Sequence, residues 1–307
     1  MPSIVTHHIF AKDISKKVNF NENDIYLLFA QSHDYLLYNF NKHIRFLGHT
    51  GHIFKTQDYL LNIIDYIKTN HLEENKELLS YLYGSITHYI LDSTIHPYIF
   101  YKTGIYSRKN KALRKYKGMH RVMERNIDGI LYQRRYKRKY CTLNISKDII
   151  KKPIFSEELK KCIDYAYEKT YKVKNLANIY IKSIKEAKIL FRITNYDRFG
   201  IKKVIYAIND KLFRFNITCI SNHIKLNHMY MNNEKKEWYH PCTKEENDQS
   251  FDELYQMSAI KCIDTIKIVD LYLKDKVNID KLKKAIPNIS YTTGLDLSLR
   301  KKMSYFE

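Results

Sequence analysis

The chain has 307 residues, with 53 Lys plus Arg against 33 Asp plus Glu and a formal net charge of +20. Apolar residues make up 44%, enough to pack a core, which excludes a disordered polyelectrolyte. Only 8 Gly and 5 Pro occur, and neither GxGxxG nor GxxxxGK[ST] appears, so β-sandwiches, dinucleotide folds and P-loops give way to helices. No apolar run reaches the ~18 residues of a membrane span. The start, Met1 to His8, lacks the basic flank and apolar run of a signal peptide, so the expected compartment is the cytoplasm. The five cysteines are odd in number and none sits in a CxxC pair, as expected of reduced thiols.

In chain order, Ile25, Leu28, Phe29, Leu36 and Leu37 have helical spacing and predict a helix over 23–40. Leu60, Leu61, Ile64 and Ile67 predict a second over 58–68. The apolar stretch over 73–101 predicts a third, broken or kinked at Pro97. A fourth follows over 118–133, then a loop near Pro153. Ser156-Glu157-Glu158 opens a helix running towards Leu190, and Ser250-Phe251-Asp252-Glu253 is a capping box opening one to about Leu273. No repeat or flexible linker interrupts the chain. The expected fold is all-α: a multi-helix globular bundle forming one domain over 1–307. Residues 1–140 supply metal-site helices, and 141–307 pack around them.

Ten of the 13 histidines lie in residues 1–120. His88, Asp92 and His96 are four and eight apart, which places them within an arc of roughly 80° on one helix face. Three such side chains in an apolar segment need a partner, because burying them unpaired costs several kcal/mol. Buried His–carboxylate hydrogen bonds are one alternative; a metal ion is an economical partner, since imidazole nitrogen and carboxylate oxygen are zinc-type ligands. They also suit manganese or iron. His120 and Glu124 repeat the spacing, and Asp128 extends their face. Two such columns can hold two metals between helices. Asp34, His52 with His49 as its rival, and His7 and His8 are further candidates.

Residues 101–140 hold 14 Lys or Arg and only Glu124 and Asp128 as acids. Such a patch is either a solvated face or an attraction for phosphate-bearing partners. The partners in view are an anionic lipid surface and, with Tyr106, Tyr116, Tyr132, Tyr136 and Tyr140 to stack bases, single-stranded nucleic acid. Trp238 and His240 read as a packed aromatic and a surface histidine.

The residues together resemble the bacterial zinc-dependent phospholipase C family, which shares an all-helical superfamily with single-strand nucleases. The likeness runs through Met1 to His7, Asp34-Tyr35, Gly48 to His52 and Tyr83 to His88. It continues through Asp92, His96-Pro97-Tyr98, Lys102-Thr103-Gly104, His120, Glu124 and Asp128. Weaker likenesses follow at Trp238 to Pro241, Ser250-Phe251, Leu254-Tyr255, Thr293-Gly294-Leu295 and Tyr305-Phe306. The resemblance implies two zinc ions and up to three. One site would use Asp34, His52, His88 and Asp92, and a second His96, His120 and Glu124. A third would use His7, Asp92 as a bridge and the amino terminus.

The expected activity is metal-dependent hydrolysis of a phosphodiester, with a phospholipid headgroup as the favoured substrate. A metal-activated water would attack phosphorus, and Asp34 would help ligate metal and orient or deprotonate that water. The rivals are a nuclease-like enzyme, an HD-type phosphohydrolase suggested by His33-Asp34, and a non-catalytic protein with structural zinc that binds anionic lipid or nucleic acid.

Overall fold

The computed structural model describes residues 4–195, 199–213 and 224–307. Thirteen α-helices lie among the described residues: α1 (Ile4–Lys17), α2 (Asp24–Phe29), α3 (Asp34–Leu37), α4 (Lys42–Ile53), α5 (Thr56–Thr69), α6 (Lys76–Thr103), α7 (Met119–Tyr136), α8 (Ile145–Asp148), α9 (Glu157–Tyr171), α10 (Leu176–Ile193), α11 (Ile201–Phe213), α12 (Phe251–Leu273) and α13 (Ile279–Ala285). Two short antiparallel strands, β1 (Trp238–Tyr239) and β2 (Glu246–Asn247), pair Trp238 with Asn247. Among the described residues no helix is long and apolar enough to cross a membrane.

The axis of the fold is α6, whose 28 residues span ~42 Å. Every residue from Leu78 to Ile99 except Leu79 is buried, so α6 is wrapped on all sides. The wrapping helices are α1, α2, α5, α7, α9 and α12. Asn75 starts α6 by accepting the N–H groups of Glu77 and Leu78. Of the expected break or kink, the break does not occur: Pro97 does not end the helix. It removes an N–H, which leaves the Ser93 carbonyl without its usual partner. That carbonyl faces the turn at Gly294, where an added Cβ would lie 2.4 Å from it.

Two predicted helices are each split. The 23–40 segment becomes α2 and α3, with Ser32 at φ 35° in the turn between them. Asp34 thereby begins a helix instead of sitting inside one. The helix expected from Ser156 to Leu190 is α9 and α10, separated where Lys172 and Asn175 adopt φ 61° and 54°. The capping box at Ser250 forms as read: its side chain accepts the Glu253 N–H, and the Glu253 carboxylate accepts the Ser250 N–H.

Gly84 marks the closest approach of α6 to α2. A Cβ there would meet the Tyr26 carbonyl oxygen at 2.6 Å and Phe29 backbone carbon at 3.0 Å. Alanine gains about 1 kcal/mol of helix propensity over glycine. Overpacking against unyielding backbone costs about 1–3 kcal/mol. Gly84→Ala is therefore expected to lower the urea midpoint. A raised midpoint would show that propensity outweighs the contact.

Candidate metal centre

Five helices bring their side chains to one place. α6 carries His88, Asp92 and His96 in a column at successive turns, all buried. α7 presents His120 and Glu124 one turn apart, α1 presents His7 from its first turns, and α3 begins with Asp34. His52 closes α4 on the same face as Gly48 and Gly51, and its rival His49 is exposed. All eight predicted ligands converge here.

Asp92 is the centre of the arrangement. His7 Nε2 lies 3.0 Å from its Oδ1, and His88 Nε2, His96 Nδ1 and His52 Nε2 lie 3.5, 3.5 and 3.7 Å from its Oδ2. Asp34 sits beside it, with Oδ1 3.0 Å from His52 Nε2 and Oδ2 3.8 Å from His88 Nδ1. Glu124 Oε1 is 3.1 Å from His120 Nε2 and 3.5 Å from His96 Nε2. Two sets of donor atoms each fall within 4.8 Å of one another: His7, Asp34, His88 and Asp92, and separately His96, His120 and Glu124.

The unsatisfied atoms of this cluster fit a cation. Both oxygens of Asp34, Asp92 Oδ2, Glu124 Oε2, both nitrogens of His88, His7 Nδ1 and His120 Nδ1 are buried without a hydrogen bond. Asp34 Oδ1 is close to His52, yet no N–H is aimed at it. Leaving so many polar atoms buried and unmatched is costly, and a shared cation matches them together. A cavity of ≈ 20 Å³, large enough for one water-sized occupant, adjoins both sets. It is lined by His7, Asp92, His96 and Glu124 on its polar side and by Leu91, Ile95, Ile127 and Phe251 among its apolar walls.

The electrostatics follow from burial and crowding. Burial opposes charge on Asp92, but His96, His88 and His7 hold its carboxyl well below the usual range. Glu124 is likewise lowered against burial, chiefly by His120. Burial pushes the imidazoles of His88 and His120 down, so they stay neutral. Neutral imidazoles beside ionised carboxylates are the forms that donate lone pairs to a metal. Burial also disfavours protonation of His7 and His96, but Asp92 prevails at both, and His96 is pushed up to about 9. Asp34 is raised by burial, with His52 offsetting only part of the effect.

Several residues take other roles. Asp128, read as an extension of the His120 column, accepts the N–H and hydroxyl of Thr6 at 2.8 and 2.9 Å and so anchors α1 next to His7. His8 is buried but belongs to neither donor set. His33 bonds the Tyr167 hydroxyl through Nδ1 at 2.7 Å and lies in neither donor set. The amino-terminal group and His223 lie outside the described residues, as does Cys219; Cys141, Cys162, Cys242 and Cys262 are free thiols. Trp238 packs edge-on against Tyr98, and His240 Nε2 bonds the Thr293 carbonyl at 2.9 Å.

The sequence did not point to Tyr291. Its N–H donates to the His52 carbonyl at 2.9 Å, and its own carbonyl accepts from His96 Nδ1 at 2.9 Å. The second bond commits His96 Nδ1 as a donor, so Nε2, 3.5 Å from Glu124, is the nitrogen that would be left to ligate a metal, which is how an outer partner orients such a histidine. His52 is fixed in the same way, by Nδ1 to the Gly48 carbonyl at 2.7 Å. Thr293-Gly294-Leu295 was the available signal, and Gly294, at φ +65°, holds this turn against Ser93. Gly294→Ala is expected to displace the turn and weaken zinc affinity by about 10–100-fold. Chelator competition measures it, and unchanged affinity would show that the turn does not hold His96.

The basic segment 101–140 is less uniform than its composition. Arg125 is buried against Asp128, Arg134 and Arg135 pair with Asp252 and Asp13, and Lys102 pairs with Glu307. Arg108, Lys109, Lys111, Arg114 and Lys115 are exposed. Of the five tyrosines, Tyr116, Tyr132 and Tyr140 are buried.

A family model described as zinc dependent phospholipase C matches residues 6–176, more than half of the chain. The match contains all eight converging side chains and leaves Tyr291 outside. No curated protein and no solved structure shows a significant match. The chain belongs to the zinc-dependent phospholipase C family.

Proposed function

We propose that the protein is a metal-dependent phosphoesterase that hydrolyses the phosphodiester of a phospholipid headgroup. The observation that carries this reading is the pair of buried donor sets with their unmatched atoms, inside a segment of this family. His7, Asp34, His88 and Asp92, with His52 beside them, would hold one zinc ion, and His96, His120 and Glu124 a second. Zinc bound there supplies a Lewis acid for a phosphoryl oxygen and lowers the pKa of water from ~15.7 towards ~7. Asp34, buried beside Asp92 with neither oxygen hydrogen-bonded, has a carboxylate oxygen that would take a proton from the attacking water. Phe251 and the isoleucines of α6 and α7 keep bulk water from the cavity side. We also read 1–307 as one domain, because α12 packs on α6 and Tyr291 reaches two candidate ligands.

Burial of Tyr116, Tyr132 and Tyr140 removes most of the stacking platform that single-stranded nucleic acid would use, which favours the lipid headgroup. The test compares a chromogenic phosphocholine ester with single-stranded DNA, each with and without chelator. Hydrolysis of the ester alone, abolished by chelator and restored by zinc, is the expected result. Cleavage of DNA alone would move the reading to a nuclease. Retained zinc with neither substrate cleaved would move it to a structural metal.

A further inference from the structure

We propose that the outer face of α4 docks the protein onto anionic lipid bilayers. α4 has two opposed faces. Leu47, Gly48, Gly51 and His52 are buried, the last at the candidate metal centre. Phe46 and Ile53, seven residues apart and so on one side of the helix, are 73% and 53% exposed. Phe40 and Phe54 flank the helix at 65% and 49% exposure. Single exposed apolar residues are ordinary, but four large ones within 15 residues, two of them on one side of α4, ask for a partner.

Charge selects the partner. No Asp or Glu occurs between Asp34 and Asp58, whereas Lys42, Arg45 and Lys55 all lie there. Lys55 Nζ sits 5.5 Å from the centre of the Phe54 ring, and Arg45 donates to the Phe40 carbonyl, so two cations lie along the segment; the carboxylate bonded at Phe40, Glu186 of α10, is buried and taken up by the Phe40 N–H. Aromatic side chains edged by cations suit the boundary between acyl chains and anionic headgroups. A second copy of this chain would bring the same cations face to face, on molecules of charge +20. Docking is measured without turnover and does not rest on the phosphodiester reading.

The experiment is flotation of the full-length protein with phosphatidylcholine vesicles, with and without phosphatidylserine. It compares wild type with the double substitution Phe46→Ser and Phe54→Ser, and both are also assayed on a water-soluble phosphocholine ester. The expected result is flotation of wild type with the anionic vesicles, weakened about tenfold or more by the substitutions, with ester hydrolysis unchanged. A wild type that does not float, or a variant that floats equally well, overturns the proposal. So does a lipid-free dimer of wild type that the substitutions dissociate. Should neither protein hydrolyse the ester while the flotation difference persists, the phosphodiester reading fails and the docking surface stands.

Discussion

Asp92→Asn protein is expected to retain less zinc than wild type and to lose phosphodiester hydrolysis by about a thousandfold. Asp92 is the one carboxylate approached by imidazoles of both donor sets, at 3.0 Å from His7 and 3.5 Å from His88 and His96. Asparagine keeps the shape and removes the charge. Deleting one partner of a buried charge pair costs about 3–5 kcal/mol. At about 1.4 kcal/mol per tenfold, that is roughly two to three and a half decades of metal affinity. Zinc per chain after dialysis against a weak chelator, measured beside the ester assay, checks both effects. A variant with unchanged zinc and unchanged rate would remove Asp92 from the site.

Asp34→Asn is expected to behave differently, keeping zinc and losing about 10²–10⁴-fold in turnover, the usual contribution of a general base. His7, His88 and Asp92 remain as donors of its set, with His52 nearby. What disappears is a carboxylate whose proton affinity burial has raised. Zinc content and kcat separate the possibilities. Loss of both together would make Asp34 a ligand without a role in proton transfer. Full activity would exclude it from either role.

The column spacing in α6 and α7 was legible because a helix turns His88, Asp92 and His96 to one side wherever it forms. The Ser250 capping box was legible because its bonds are local. The breaks at Ser32 and near Asn175 were not, since both depend on left-handed backbone at residues other than glycine, which the surrounding packing imposes. Asp128 shows the limit of spacing: it shares the periodicity of Glu124, but Thr6, 122 residues away, takes up its carboxylate. His8 and His33 have ligand chemistry but fall in neither donor set, and His33 Nδ1 is taken up by the Tyr167 hydroxyl. Tyr291 was invisible for a different reason. It acts through its backbone N–H and carbonyl, which every residue but proline carries.

The candidate centre gathers side chains from five helices and is bonded to a turn near residue 291. Crystals grown without chelator, with anomalous scattering collected on both sides of the zinc absorption edge, test the central claim most directly. The predicted result is zinc density among His7, Asp34, His88 and Asp92, and again among His96, His120 and Glu124. Well-ordered side chains there with no anomalous density after zinc soaking would contradict the account.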